Sequence, residues 1–353
     1  MDIKTGRCRL SSVLVWDLET VPDLDAVRRI HGAAEASDAE AGELLGGAFP
    51  KLPLHKIVCI GALLAERTPH GFSVTALGAP HIGQRAEARL ISDFAAKIQE
   101  TKPQLIGFNG HGFDLPVKRY RAMVNYVSAP GLICRNYFNR YSDECLDLCD
   151  ALASFDGRGK LKLDDLCRVL GLPGKPKDTD GSCVAELVAA GRIQDVANYC
   201  ETDVVNTYRV FLRYELFRGG LDGSGFVSSE ENLQHFLSAQ IPSKPHLSCV
   251  ASAANENMSY LAYLEDEPMV WTQTFADADA AMTSIKEVVK TRNTVNGAGW
   301  GAVVDLRSKR ILHLAGVEHS PVRELAIAGA GEPELPARIH IELVDQILAK
   351  VGR

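Results

Sequence analysis

Apolar and polar positions along the chain follow two periods. Val13 to Trp16 form an unbroken apolar run ending in Asp17-Leu18-Glu19, which reads as a buried strand closed by two carboxylates. Ile57 to Leu64 reads as a second buried strand, Phe72 to Leu77 alternates as a third, and Leu105 to Phe108 is a fourth. Between them the period lengthens. Ala86, Leu90, Ile91, Phe94, Ala95 and Ile98 form one helical stripe over 86–101. Helices are also expected over 24–47, stopped by Gly46-Gly47, over Pro116 to Val124, and from Gln194 to Tyr214. Val21-Pro22-Asp23 reads as the break after strand one, Gly223-Ser224-Gly225 as a breaker cluster, and Glu230 to Ala239 as a further helical piece.

Ile241 to Pro245 reads as a linker, dividing the chain into domains at 1–240 and 246–353. The second domain reads as a small α+β unit. Its expected strands are Met258 to Tyr263 and Val270 to Phe275, then a hairpin of Gly301 to Leu306 with Ile311 to Leu314. Its helices are Asp277 to Lys290 and Ala337 to Val351. It carries no cluster of carboxylates or histidines and is a candidate surface for homodimerisation or a protein partner. The first domain, three early strands followed by alternating helices and strands, reads as an α/β mixed sheet flanked by helices.

With 353 residues the chain has ample core for two domains, and 46 % hydrophobic with 24 % charged residues excludes wholesale disorder. The net charge of −7 offers nucleic acid no overall attraction, so any such substrate needs local basic patches and bound cations. The nine cysteines form no CxxC pair or zinc-like spacing with histidine, and suit reduced thiols in a cytosol. There is no charged-then-apolar leader and no long apolar run, so a cytoplasmic protein without membrane contact is expected.

The candidate chemistry lies at three separated places. Asp17 and Glu19, two residues apart on a strand, share one face, where their charges repel unless a cation neutralises them. Asp114 follows the Gly-rich turn Asn109-Gly110-His111-Gly112-Phe113, where a helix should begin. Tyr199 and Asp203 stand one turn apart on a helical face.

Asp-x-Glu on a first strand, Asn-x-x-x-x-Asp after a later strand and Tyr-x-x-x-Asp on a late helix together resemble the DEDDy 3′–5′ exonucleases. Phe108 to Pro116 and Tyr199 to Tyr208 are most similar to the stand-alone relatives of the family-B DNA polymerase proofreading domain. The resemblance spans about residues 10–220. The sister group with His five residues before the last Asp fits less well, because that position is Asn198.

The resemblance implies a ribonuclease H-like fold and hydrolysis from the 3′ end of single-stranded DNA or RNA, with a place in DNA repair or in proofreading in trans. It also implies two Mg²⁺ or Mn²⁺ ions. Asp17 would bridge them, Glu19 and Asp203 would hold the ion on the nucleophile side, and Asp114 would act through water. Tyr199 would orient the attacking water. Trimming of RNA 3′ ends and a catalytically silent nucleic-acid-binding module are the alternatives.

Substrate contacts are expected from four residues. Asn109 would touch the 3′-terminal nucleotide. Tyr137 and Arg140 belong to the aromatic-rich segment Asn136 to Tyr141, which could hold unpaired bases or pack partly into the core. Lys175 closes the Gly171-Leu172-Pro173-Gly174-Lys175 turn within a basic run of Arg158, Lys160, Lys162, Arg168, Lys175 and Lys177. Asp147 is either a supporting acid or a cap.

Overall fold

The computed structural model describes residues 11–174, 184–251, 260–266, 269–275, 281–286, 300–305 and 310–315. They fall into two compact units, 1–220 with 228–251 and 221–227 with 252–353.

The first unit is built on a five-stranded sheet. Its strands are β1 (Ser12–Pro22), β2 (His55–Thr68), β3 (Gly71–Gly78), β4 (Gln104–Gly107) and β5 (Cys145–Asp147). They lie in the order β3-β2-β1-β4-β5, the mixed sheet flanked by helices that the sequence pattern implied. The β3–β2–β1 meander is antiparallel, while β1–β4 and β4–β5 are parallel. The three long strands lie where the sequence pattern put them. β5 was not foreseen, because three residues are too few to display a period.

The helices are α1 (Leu24–His31), α2 (Asp38–Glu43), α3 (Glu87–Thr101), α4 (Asp114–Val124), α5 (Leu148–Leu152), α6 (Leu163–Val169), α7 (Val184–Ala189), α8 (Ile193–Phe217), α9 (Gly223–Gln240) and α10 (Ser248–Ala251). Three differences from the sequence pattern have local causes. The helix expected over 24–47 is divided, because Gly32 takes a left-handed φ of 63° that ends α1, and Ser37 with Glu40 then forms a capping box for α2. The strand runs on through Pro22, its last residue, and Asp23 caps α1 by accepting from the Ala26 N–H. At Gly223 a helix starts rather than a loop, since Asp222 accepts from the Gly225 N–H at 2.7 Å.

The alternation of β1 sorts the two faces of the sheet. Leu14, Trp16 and Leu18 pack into a core with Leu90, Ile91, Phe94 and Ile98 of α3 and Leu115 and Val117 of α4. Each such large apolar side chain, removed from water, contributes about 1.5–3 kcal/mol. The odd positions face the other way, where α8 packs against β1 and β2. There Val58 and Cys59 of β2 meet Val196, Ala197 and Cys200 of α8. The approach is close because Gly61 has no side chain. A Cβ there would lie 2.6 Å from Cys200 Sγ and 3.0 Å from Val204.

α4 is pinned by a buried ionic cluster. Arg121 donates to both oxygens of Glu87, at 2.7 and 2.6 Å, and to Asp23, while Glu87 also accepts from the Ile57 N–H at 2.7 Å. α3, α4, β2 and the end of β1 are thereby tied at one point. The segment expected as a linker is likewise packed. Lys244 donates to Leu77 O at 3.1 Å and pairs with Glu201 of α8 at 2.6 Å, and His246 lies 2.8 Å from the same carboxylate.

The second unit contains β6 (Tyr260–Asp266), β7 (Met269–Phe275), β8 (Trp300–Asp305) and β9 (Arg310–Ala315) in one antiparallel sheet of order β7-β6-β8-β9. These are the four strands that the pattern located, and residues 281–286 are helical within the expected 277–290. The helix expected over Ala337 to Val351 lies outside the described residues.

Candidate active site

Asp17 and Glu19 lie at and just past the middle of β1, opposite Gly61 and Cys59 of β2. A bulge between Glu19 and Thr20 breaks the pairing register just beyond them. On the neighbouring strand, β4 ends at Gly107 and the chain turns through Asn109, in a left-handed φ of 65° that asparagine tolerates. The turn delivers Asp114 to the first position of α4. Above the other edge of β1 lies α8, with Tyr199, Cys200 and Asp203 all buried. Here the carboxylates of Asp17 and Glu19 and the Cys200 thiol approach closely, with ligand atoms within 4.8 Å of one another. Cys200 Sγ is 4.0 Å from Asp17 Oδ2.

The electrostatics of this group are those of concentrated negative charge. Burial pushes the Asp114 carboxyl well above the usual carboxylate range, and the charge of Asp17 pushes it further. Tyr199 is raised far above an ordinary phenol, first by burial and then by Asp203, Glu19 and Asp17. The Cys200 thiol is raised by its contact with Cys59, by burial, and by Asp17 and Glu19. Asp17 thus acts both on Asp114 of α4 and on Tyr199 of α8, while Glu19 and Asp203 act on Tyr199. The structure brings Asp17 and Glu19 of β1 against the segment of α8 that carries Tyr199, Cys200 and Asp203, with Asp114 at the start of α4 under the influence of Asp17.

Two members of the neighbourhood were not anticipated. Cys200 was read only as a reduced thiol. Lys118, one turn after Asp114, is wholly buried with its Nζ 3.9 Å from the Trp16 ring centroid and 3.0 Å from that of Phe94. Burial draws its pKa well down, opposed by the charge of Asp114. The available signal for Lys118 was its spacing of four from Asp114.

A second acidic group lies behind the Asn109 turn. Asp147 caps α5 and accepts from the N–H groups of Asn109 at 2.8 Å, His111 at 2.9 Å and Cys149 at 3.1 Å. It is thus the cap of the two readings. Asp150 accepts from Arg140 at 2.6 and 2.8 Å and pairs with Lys160 at 2.7 Å. Arg140, with help from Lys160, holds the Asp150 carboxyl down to about 2. Lys160 also donates to Asn109 Oδ1 at 3.1 Å. His111 Nε2 lies 3.1 Å from Tyr137 O.

Among the expected substrate contacts, the structure corrects Tyr137. It is fully buried in the core and donates its hydroxyl to Pro103 O at 2.8 Å, so no base can stack on it. Arg140 is committed to Asp150 as a bidentate pair, and Asn109 offers its side-chain oxygen to Lys160. Lys175 lies outside the described residues. Among the described residues no helix is long and apolar enough to cross a membrane.

Residues 47–253 match the family described as a predicted 3′–5′ exonuclease related to the exonuclease domain of PolB. The chain belongs to this family. The matched span holds Asn109, Asp114, Tyr199 and Asp203 and begins after Asp17 and Glu19. No curated protein matches significantly. Solved structures that match include exonuclease I, at 12 % identity over 97 % of this chain and 71 % of that one with a TM-score of 0.31. Another is E. coli exonuclease I in complex with a dA16 oligonucleotide, at 14 % identity over 96 % and 71 % with a TM-score of 0.27.

Proposed function

We propose that this chain is a DEDDy-type exonuclease that removes nucleotides from the 3′ end of single-stranded DNA with two divalent ions. The observation that carries the reading is the approach of β1 and α8, where the Asp17 and Glu19 carboxylates and the Cys200 thiol, next to Tyr199, lie within 4.8 Å of one another. Asp17 acts on Asp114, and Asp17, Glu19 and Asp203 all act on Tyr199. Family membership supports the polarity, and the relation to a DNA polymerase domain supports DNA over RNA.

Asp17, Glu19, Asp114 and Asp203 would hold the metal. An all-oxygen donor set suits Mg²⁺ or Mn²⁺ better than zinc, and a buried group of like charges suits a cation in general. Bound there, such ions supply Lewis-acid activation of water and charge relief at phosphorus and at the leaving 3′ oxygen. The residues do the positioning. The Tyr199 phenol, its pKa raised by burial and by the neighbouring acids, is suited to orient the attacking water by hydrogen bonding. Asp203, one turn away, interacts with that hydroxyl and fixes its direction. Asn109, in the turn before Asp114, would meet the terminal nucleotide, and Lys175 a phosphate of the strand.

The test is digestion of a 5′-labelled single-stranded DNA oligonucleotide with Mg²⁺ or Mn²⁺, beside a matched RNA. A ladder shortening from the 3′ end, abolished by EDTA and by Asp17→Ala, supports the reading. Faster loss of the RNA would make the enzyme an exoribonuclease. Cleavage that survives Asp17→Ala would remove the site.

A further inference from the structure

Asn206 of α8 is 1 % exposed and holds a turn from far along the chain. Its Nδ2 donates to Gly174 O at 3.0 Å, and since a carbonyl only accepts, the amide nitrogen is the atom that faces it. Gly174 closes the turn after α6, in which the Gly171 N–H donates to Arg168 O at 3.1 Å and the Leu172 N–H to Cys167 O at 2.8 Å. Gly174 takes a left-handed φ of 67°, and a Cβ there would lie 2.5 Å from Asp164 Oδ1 and 3.8 Å from Arg168 Cγ. The turn is thus set against α6 on one side and tied to α8 on the other.

The place of Asn206 on α8 gives this tie its meaning. At about 3.6 residues per turn, Tyr199, Asp203 and Asn206 fall within about 60° of one another around the helix. Asn206 stands one turn beyond Asp203 and is therefore its neighbour on the helix surface. Gly174 O is bound on the same stripe that carries Tyr199 and Asp203. The segment leading to this turn is fixed at its other end as well, where Lys160 donates to Asn109 Oδ1 at 3.1 Å and pairs with Asp150 at 2.7 Å. Between the two ties lies α6, whose Arg168 is 62 % exposed and pairs with Asp164, four residues earlier, at 2.9 Å. A surface pair of this kind is weak, which leaves the guanidinium open to a phosphate.

We infer that Asn206 is a positioning residue for the substrate strand. By fixing Gly174 on the Tyr199–Asp203 stripe it sets α6 beside the candidate site, where Arg168 meets a phosphate on the 5′ side of the scissile bond. This role rests on the exonuclease reading and adds to it a residue outside the Asp-x-Glu, Asn-x-x-x-x-Asp and Tyr-x-x-x-Asp motifs. Phosphate contacts fix where a strand lies without reading its sequence. Asn206 itself touches neither strand nor metal, so its loss weakens strand binding and leaves the chemical step intact.

The test measures digestion of a single-stranded DNA oligonucleotide by the full-length protein in Mg²⁺, and binding of the same strand in Ca²⁺, at several salt concentrations. Asn206→Leu, which keeps bulk without the donor, should raise KM about tenfold, with kcat within about twofold and the Mg²⁺ concentration for half-activation unchanged. The slope of log affinity against log salt should fall by about 0.7, the loss of one phosphate contact. Gly174→Ala displaces the turn from the α6 side without altering α8 and should reproduce these effects; if Asn206→Leu does not fold, Gly174→Ala decides alone. Arg168→Ala should act likewise in the wild type and add nothing to Asn206→Leu. Unchanged KM and salt slope, a fall in kcat or in Mg²⁺ affinity instead, or additive effects of Asn206→Leu and Arg168→Ala overturn this role. Strand binding that depends on Asn206 and Arg168 in a protein that cuts nothing keeps it and overturns the exonuclease reading. Cutting that ignores both residues does the reverse.

Discussion

Two groups of carboxylates flank the turn between β4 and α4, and they are treated in opposite ways. Behind the turn, Asp147 is surrounded by backbone N–H groups and Asp150 by Arg140 and Lys160, so the protein itself satisfies their charge. In front of it, the charges of Asp17, Glu19 and Asp203 are felt as raised pKa values on Asp114, Tyr199 and Cys200. An acidic cluster thus says little until its counter-charges are found. His111, Asp147 and Asp150 also bring ligand atoms together within 4.8 Å, yet Arg140 and Lys160 already occupy the place a cation would take. The rear group is held by the protein's own cations and N–H groups, and the front group is the one proposed to take a metal.

The contrast can be broken most forcefully at Asp17. Asp17→Ala should lower metal-dependent nuclease activity by on the order of 10³-fold, the worth of several kcal/mol of charge stabilisation. It should also remove the rise in melting temperature that Mg²⁺ gives the wild type. Equal Mg²⁺ stabilisation in both proteins would move the metal elsewhere.

Tyr199→Phe should reduce kcat by about 10²-fold while leaving the Mg²⁺ concentration for half-activation unchanged. A basic limb in the pH–rate profile that vanished in this variant would show the phenol titrating, contrary to the raised pKa.

Gly61→Ala tests the packing that brings α8 onto β1 and β2. The added methyl meets Cys200 Sγ and Val204, so a loss of about 1–3 kcal/mol is expected by urea denaturation, with a parallel loss of activity. Wild-type stability would mean that α8 can lift without harm.

The rear group should answer differently. Asp150→Asn should cost about 1–2 kcal/mol at neutral pH, modest because Arg140 is partly exposed, and leave the Mg²⁺ dependence alone. The folded pKa of Asp150 lies below its ordinary value, so its stabilising contribution is present above about pH 4 and is lost as pH falls towards about 2. The difference between variant and wild type should close across that window, as chemical denaturation at several pH values would show.

The front group was the more legible in the sequence. Asp17, Glu19, Asp114, Tyr199 and Asp203 stand in short motifs whose spacing follows from strand and helix geometry, and that spacing survives folding. The rear group was obscure because its meaning comes from partners far along the chain. Nothing near Asp147 announces that it will receive the N–H groups of Asn109 and His111 from another strand's turn. Tyr137 failed as a substrate contact for a related reason. An aromatic residue among polar neighbours looks the same in sequence whether its ring faces water or, as here, the underside of α3 and α4. The Arg121–Glu87–Asp23 cluster was equally hidden, since charged residues on helices ordinarily mark a solvated face.

The clasp on Glu201 has a bearing on how the protein is made. Its two partners, Lys244 and His246, follow it by 43 and 45 residues. A ribosome adding roughly 5–20 residues per second delivers them about 2–9 s after Glu201 itself. During that interval the nascent chain carries a carboxylate awaiting its partners, and α8 gains this anchor only once residues 244–246 have been made.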